Sequence, residues 1–137
     1  MLAVVDAGPL YATVDRDDRH HERCVAVFNR HDLDLFVPAM VVAEVTYLVG
    51  SRLGPSYEAA FLRGLSEVSV RAPDPEDCGR IADLVTRYSD FPLGGSDASV
   101  VALAERLRTD LVITLDHRRF RAVRPRHCRV FQVLPSF

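Results

Sequence analysis

The sequence contains no lysine, and all 17 of its basic side chains are arginine. A P-loop needs a lysine to hold the phosphates of a nucleotide, and covalent catalysis through a Schiff base needs a lysine amine. The missing residue therefore excludes P-loop nucleotide hydrolases and Schiff-base enzymes. Arginine remains available for phosphate binding, since its planar guanidinium offers a fork of donors that matches phosphate oxygens.

Cysteine and long apolar runs are also scarce. The three cysteines, Cys24, Cys78 and Cys128, are odd in number, widely spaced and form no CxxC pair, which argues against a disulfide framework and a zinc knuckle. No apolar stretch approaches the length of about 18 residues that a membrane helix needs, and no basic segment precedes the first apolar run. We expect a cytoplasmic protein with reduced thiols that is neither exported nor embedded in a membrane.

The length of 137 residues fits one domain, residues 1–137, and is enough to close a hydrophobic core without disulfides. Apolar strand-like runs alternate with helical patterns, which predicts an α/β sandwich around a mostly parallel sheet. Strands are predicted at residues 2–5, 35–37, 68–71, 111–115 and 130–134. Helices are predicted to begin near Pro9 and to cover residues 20–30, 38–52, 55–65, 75–88 and 97–108.

The net charge of −2 hides an uneven distribution along the chain. Up to Asp116 the chain carries 19 acids and 11 arginines, a formal charge of −8, whereas the remainder carries six arginines and no acid. These arginines are Arg118, Arg119, Arg121, Arg124, Arg126 and Arg129. An ordinary solvated surface explains them most simply, and a phosphate-binding patch is the functional alternative.

Two aspartates follow predicted strands directly. Asp6 comes after the run Leu-Ala-Val-Val, and Asp116 comes after Leu-Val-Ile-Thr-Leu. Open α/β sheets bind their ligands at the carboxyl ends of the strands, so both carboxylates point into one crevice if the two strands are neighbours. Either residue alone is equally well explained as part of a turn or as a helix cap.

Glu44 lies within the apolar helix of residues 41–49, with Val41 one turn before it and Leu48 one turn after it. We therefore place its carboxylate on the buried stripe of this helix, where an ionised group is costly unless it is paired or binds a cation. The helix has no arginine before Arg52, so a local partner is missing. A buried ion pair with a distant arginine is the structural alternative to a metal site.

Asp97 stands at the start of a helix whose inward stripe is predicted to include Val100 and Ala104. Taken alone, Ser96-Asp97 is ordinary capping chemistry. Together with the other three acids it indicates a cluster, and clustered carboxylates repel one another unless a divalent cation neutralises them. Oxygen-only ligands favour Mg²⁺ or Mn²⁺ over zinc, and such ions promote the hydrolysis of phosphodiesters.

Four short segments carry the acids: VDAGPL at residues 5–10, VAEV at 42–45, SDASVVALAE at 96–105 and ITLDHRRF at 113–120. In this order and spacing they resemble the PIN-domain ribonucleases, and among them the toxins of VapBC-type toxin–antitoxin pairs. The resemblance covers nearly the whole chain and includes its length. It implies a PIN-like three-layer α/β/α sandwich around a mostly parallel, roughly five-stranded sheet.

The resemblance also implies a role for each acid. Asp6 and Asp97 resemble the principal Mg²⁺ ligands of the family, for which Mn²⁺ is a substitute. Asp116 resembles a third ligand, bound directly or through water, and Glu44 resembles the carboxylate that orients metal-bound water. Thr114 resembles the family's hydroxyl beside the last acid.

The function implied by the resemblance is that of a metal-dependent endoribonuclease, which inhibits growth by cleaving tRNA, rRNA or mRNA. A homodimer and a cognate antitoxin, whose C-terminal segment covers the acidic site, are implied as well. Arg118 and Arg119 are then hypothetical contacts to RNA. Two other classes stay open. One is an α/β phosphatase-like hydrolase. The chain has neither a second aspartate close after Asp6 nor a phosphate-binding lysine, and both absences argue against this class. The other is a non-catalytic RNA-binding domain of the same fold.

Overall fold

Five parallel strands form one sheet in the computed structural model, which describes all 137 residues. The strands are β1 (Leu2–Val5), β2 (Asp34–Pro38), β3 (Ser69–Arg71), β4 (Leu111–Ile113) and β5 (Gln132–Leu134). Their order across the sheet is β3-β2-β1-β4-β5, and every neighbouring pair is parallel. The predicted α/β fold with a five-stranded sheet is confirmed, and the sheet is entirely parallel.

Seven helices connect the strands. They are α1 (Ala7–Val14), α2 (His21–Phe28), α3 (Ala39–Leu53), α4 (Pro55–Gly64), α5 (Pro75–Arg87), α6 (Gly95–Leu107) and α7 (His117–Ala122). The first six agree with the predicted helices to within about two residues at most ends. The sequence does not predict α7, which forms because Asp116 caps its first turn and the fully buried Phe120 anchors it in the core.

Both faces of the central strands are buried. Ala3, Val4 and Val5 of β1, and Val112 and Ile113 of β4, have no exposed surface. Successive residues of a strand point to opposite faces of the sheet, so helices must cover the sheet on both sides. α6 packs against β1, β2 and β4, and it also contacts α3 and α5. This arrangement confirms the three-layer sandwich.

An ion pair with little exposure joins α5 to α6. Arg80 donates from Nε and Nη2 to the two carboxylate oxygens of Glu105, both at 2.8 Å. The side chains are only 12% and 10% exposed. Burial raises the pKa of Glu105, but hydrogen bonds from Arg80 and from the Arg126 amide outweigh it and hold the pKa below its usual value. The pair therefore stabilises the folded protein when Glu105 is ionised.

Replacing Arg80 by methionine should lower the free energy of unfolding by about 2–4 kcal/mol near pH 7, because Glu105 then stays buried without its charged partner. The pKa of Glu105 is depressed by folding, so the contribution is present above the pKa of the unfolded carboxyl and is lost as the pH falls through the folded pKa. Urea unfolding at several pH values measures both effects. The exposed Arg63, which forms no ion pair, gives the control variant Arg63→Met; equal losses in the two variants contradict the prediction.

All three cysteines are free thiols in the structure. Cys24 is buried, Cys78 is exposed and Cys128 is partly exposed. The helices are also all too short or too polar to cross a membrane.

Candidate active site

β1 and β4 lie side by side at the centre of the sheet, and each leads to one of the predicted acids. Val4 pairs with Val112 and Val5 pairs with Ile113 in parallel register. The Asp6 amide extends this ladder by donating to the Ile113 carbonyl at 2.9 Å. The chain leaves β1 for β2 on one side and reaches β4 on the other side only later, so the strand order reverses here. Open parallel sheets bind their ligands at such a switch point.

An open cleft of about 580 Å³ lies at this edge of the sheet, and all four predicted acids line it. Asp6 precedes α1, Glu44 comes from α3, Asp97 lies in the first turn of α6 and Asp116 precedes α7. The other lining residues are Ala7, Gly8, Leu115, His117, Arg118 and Arg119. The structure thus brings together the acids that the sequence singled out. Their roles in catalysis and metal binding stay predictions.

Asp6 is the most buried acid of the cleft, with 6% of its surface exposed. Burial, followed by repulsion from Asp97, raises the pKa of Asp6 to about 6. Hydrogen bonds from the Thr114 hydroxyl and the Ala7 amide oppose this change only in part, and Glu44 adds further repulsion. The ionised form of Asp6 is therefore costly near neutral pH, and a nearby cation relieves that cost.

Thr114 is fully buried and ties the ends of the two central strands together. Its hydroxyl donates to Oδ2 of Asp6 at 2.8 Å and accepts from the backbone amide of Asp116 at 3.0 Å. The sequence placed this hydroxyl beside the last acid, whereas in the structure its carboxylate partner is Asp6. One hydroxyl thereby orients the Asp6 carboxylate and fixes the turn that leads to Asp116.

Glu44 does not lie on the buried stripe of α3, and that prediction is wrong. Val41, Val45 and Val49 form the stripe, since all three are fully buried and follow one another at intervals of four residues. Glu44 is exposed, as is its neighbour Tyr47. Apolar neighbours one turn away on either side did not determine which face of the helix packs inward. Because Glu44 forms no ion pair, the alternative of a buried pair is wrong too.

Arg119 is the cation that the structure places among these acids. Its Nη1 donates to Oδ2 of Asp97 at 2.9 Å, and its Nε lies 3.4 Å from Oδ2 of Asp116. Burial raises the pKa of Asp97, Arg119 lowers it, and repulsion from Glu44 and Asp116 leaves it above its usual value. The sequence suggested Arg119 only as an RNA contact, whereas here it also offsets part of the cluster's charge.

The two aspartates that contact Arg119 differ in their local roles. Asp116 caps α7, since its Oδ1 accepts from the Arg119 amide at 3.0 Å, and it faces the cleft as well. Asp116 is therefore both a helix cap and a residue of the cleft, the two explanations that the sequence left open. Asp97 is not a cap, because α6 starts after Gly94 and Asp97 lies in its first turn. The dipole of α6 favours negative charge at that position.

The acids fit a hard divalent ion by their chemistry, since carboxylate oxygens are the ligands that Mg²⁺ and Mn²⁺ prefer. They do not form a ready-made ligand set: nowhere in the structure are three acidic, imidazole or thiol side chains close enough together to hold one ion. Arg119 engages oxygens of Asp97 and Asp116, and Thr114 engages one oxygen of Asp6. An ion bound by Oδ2 of Asp97 would therefore compete with Arg119 for that oxygen.

The arginine-rich end does not form a single basic patch. Arg118 is exposed at the rim of the acidic cleft and forms no ion pair. Arg119 lies among the acids, and Arg126 lies in a separate cleft beside Arg80 and Glu105. The remaining three arginines are exposed, as expected for a solvated surface. Only Arg118 and Arg119 are placed to meet a molecule that occupies the acidic cleft.

Replacing Asp6 by asparagine should stabilise the metal-free protein by about 3 kcal/mol at pH 7.5, because the carboxylate that it removes is harder to ionise in the folded protein than in the unfolded one. The pKa of Asp6 is raised by folding from 3.8 to about 6. The destabilisation by Asp6 is absent at low pH, where its carboxyl is protonated in both the folded and the unfolded protein. It grows between the unfolded and the folded pKa and is complete above about pH 6. The gain from the substitution should therefore shrink as the pH falls from 7.5 to 4.5.

Chemical denaturation in EDTA at several pH values measures this gain. The exposed Asp17 gives the matched control Asp17→Asn, which should change stability little at any pH. A loss of stability in Asp6→Asn, or a gain that does not depend on pH, contradicts the assignment of a raised pKa to Asp6.

Comparison with known proteins relates the chain to one family. A family model described as PIN domain matches residues 3–124, which is most of the chain. Ribonuclease VapC26 of Mycobacterium tuberculosis is 36% identical in an alignment of 137 positions, which covers 96% of this chain and 99% of that protein. The matched region contains all four acids of the cleft.

Solved structures with a similar fold include VapC20 of Mycobacterium tuberculosis, described as a sarcin–ricin loop cleaving toxin. It has a TM-score of 0.74 and 16% identity, and the match covers 80% of this chain and 86% of that one. DNA-bound VapBC of Salmonella typhimurium has a TM-score of 0.69 and 18% identity, with 98% of each chain covered. VapBC2 of Rickettsia felis, bound to promoter DNA, has a TM-score of 0.69 and 11% identity, with 98% and 100% covered. At these identities the likeness concerns the fold alone.

Proposed function

The chain belongs to the PIN-domain family, and from that premise we propose that it is a Mg²⁺- or Mn²⁺-dependent endoribonuclease that serves as the toxin of a toxin–antitoxin pair. The observation that carries this proposal is the convergence of four carboxylates on one cleft at the switch point of the sheet. Structural roles account for little of this arrangement, since only Asp116 caps a helix and Glu44 has no partner. The relative with 36% identity is itself named a ribonuclease.

In this proposal Asp6 and Asp97 hold the divalent ion, and Asp116 is a third ligand, directly or through water. Thr114 and the Ala7 amide orient Asp6, while the first turn of α6 positions Asp97, so both side chains are held on rigid elements. When bound, the ion supplies positive charge against the negative charge that develops on the phosphodiester. The cluster then no longer depends on Arg119 alone for charge balance.

Glu44 accepts the proton of the attacking water in this proposal. It is the one acid of the cleft that is exposed and engaged by no other side chain, so its oxygens are free to accept a hydrogen bond. The water oxygen forms a bond to phosphorus, and the bond between phosphorus and one ribose oxygen breaks. The leaving ribose oxygen takes a proton from solvent, which completes the hydrolysis.

Replacing Asp6 or Asp97 by asparagine should lower Mg²⁺- or Mn²⁺-dependent RNA cleavage by about 100-fold or more, because each change removes a charged oxygen ligand. Both variants should stay folded, since asparagine preserves the shape of the side chain. Gel analysis of labelled RNA incubated with the purified proteins measures the cleavage, and circular dichroism measures folding. Asp17→Asn is the control and should cleave at the wild-type rate.

Three results would each overturn part of this proposal. Full cleavage in EDTA excludes a metal-dependent reaction, and wild-type cleavage by either variant excludes the proposed ligands. A wild-type protein that binds RNA but cleaves none favours the alternative of a non-catalytic RNA-binding domain. Sequencing of RNA ends after induced expression tests cleavage and identifies the substrate in one experiment.

The proposed partner is a cognate antitoxin of the VapB type, whose C-terminal segment covers the acidic cleft, and the toxin itself is proposed to be a homodimer. Structures of VapBC pairs with the same fold support an antitoxin partner. Expression of the chain should arrest growth, and co-expression of a small reading frame from beside its gene should restore growth and yield a complex. An inert chain, or an arrest that Asp97→Asn also causes, contradicts the toxin assignment.

A further inference from the structure

A second cleft adjoins the acidic one. It has a volume of about 430 Å³ and is lined by Phe91, Asp116, Arg118, Arg119 and Ala122. Three of these residues, Asp116, Arg118 and Arg119, also line the acidic cleft. The start of α7 therefore forms a shared wall between the two clefts. A bound polymer that runs across the start of α7 therefore contacts both clefts.

Phe91 gives the second cleft an aromatic surface. It lies in the loop between α5 and α6 and is 38% exposed, which is high for a large apolar side chain that packs on a neighbour. The ring of Tyr88 contacts its ring edge to face, with 5.2 Å between the centroids. The Tyr88 hydroxyl in turn accepts from the Arg124 amide at 3.0 Å. Phe91 thus rests on a residue that is itself fixed.

Arg118 gives the same cleft a cation without a partner. Its neighbour Arg119 pairs with Asp97 and Asp116, whereas Arg118 forms no ion pair and is exposed. A free guanidinium beside an open cleft is suited to a phosphate group, because it presents several donors in one plane. Ala122, one turn further along α7, is small and leaves the space beside Phe91 open.

We propose that this second cleft holds one nucleotide of single-stranded RNA next to the cleaved bond, with its base stacked on Phe91 and its phosphate bound by Arg118. The inference rests on the proposed ribonuclease function. Proteins bind single-stranded RNA by stacking bases on aromatic side chains and by tracking the backbone with basic ones. An exposed aromatic ring and a free arginine, joined by a shared wall to the acidic cleft, match that chemistry.

RNA fits this cleft better than a protein segment does. Its lining has two arginines against one aspartate, and it is continuous with the cleft in which a phosphodiester is proposed to react. A polymer with a phosphate at every unit places its next phosphate beside the one that reacts. A segment of the antitoxin is the competing occupant, and the experiments below separate the two.

Replacing Phe91 by alanine should raise the protein concentration for half-maximal single-turnover RNA cleavage by about 5-fold to 100-fold, because one stacked base is lost. The maximal cleavage rate should change little, since Phe91 is neither a proposed metal ligand nor the proposed proton acceptor. The substrate is a fluorescein-labelled 12-nucleotide RNA that spans a bond cleaved by the wild-type protein. Phe91→Trp should retain the wild-type concentration dependence, and Tyr57→Ala, at an exposed aromatic outside both clefts, is the matched control.

RNAs with a single abasic position identify the nucleotide that Phe91 contacts. At one position beside the cleaved bond, removal of the base should weaken wild-type binding and leave Phe91→Ala unaffected, because the same stacking contact is lost in both cases. The abasic RNA and the Phe91→Ala substitution each weaken binding by some factor. If these two factors multiply at every abasic position, then no base stacks on Phe91. That result overturns the proposal even when the protein is an active ribonuclease.

Replacing Arg118 by glutamine should reduce the dependence of RNA binding on salt. Each phosphate contact to a single strand contributes about 0.7 to the slope of log K against log salt, so the variant should lose roughly that amount. Arg63→Gln, at an exposed arginine on α4, should not change the slope. An unchanged slope in Arg118→Gln contradicts a phosphate contact.

Two further outcomes distinguish RNA binding at this cleft from antitoxin binding there and from a failure of the proposed ribonuclease function. If Phe91→Ala leaves RNA cleavage unchanged but weakens the complex with the antitoxin, the cleft is a protein-binding site and the proposal is wrong. If the wild-type protein cleaves no RNA and binds none, the proposed function fails and takes this inference with it. Thermal unfolding of each variant shows whether a loss reflects binding or folding.

Discussion

The parallel pairing of β1 with β4 is the contact on which the rest of the site depends. It brings the ends of two strands that are more than 100 residues apart in the chain into register, so that the Asp6 amide donates to the Ile113 carbonyl. The Thr114 hydroxyl then joins Asp6 to the turn before α7. Burial of Ala3, Val4 and Val5 in β1 and of all of β4 makes a shift in register costly, because a slip by one residue turns every side chain to the opposite face.

Charge balance is the second constraint on the cleft. Burial and repulsion from neighbouring acids raise the pKa of Asp6 and of Asp97. Arg119 lowers the pKa of Asp97 in part, and hydrogen bonds from Thr114 and the Ala7 amide lower that of Asp6 in part. The carboxylates of this cleft repel one another, and a divalent ion or a positively charged group of a partner reduces that repulsion. The buried core and the Arg80–Glu105 ion pair between α5 and α6 contribute stability away from the cleft.

Much of the site was predictable from the sequence because it follows from the carboxyl ends of strands. Asp6 and Asp116 follow the two most apolar strands, and the rule that parallel sheets bind ligands at such ends placed them together. The reasoning failed for Glu44, since apolar neighbours one turn away did not show that Val41, Val45 and Val49 form the buried face. It also missed α7, although Asp116 is a local capping residue for that helix. The pairing of Arg119 with Asp97 was missed because contacts between distant residues leave no local pattern in the sequence.

The central claim is that the clustered acids bind a divalent ion, and calorimetric titration with Mn²⁺ tests it most directly. Wild-type protein should bind Mn²⁺ at neutral pH, and binding should weaken on acidification as Asp6 takes up a proton, since its pKa lies near 6. The Asp97→Asn variant should lose this binding while remaining folded. Absence of Mn²⁺ binding in the wild-type protein, or equal binding by the variant, would contradict the account.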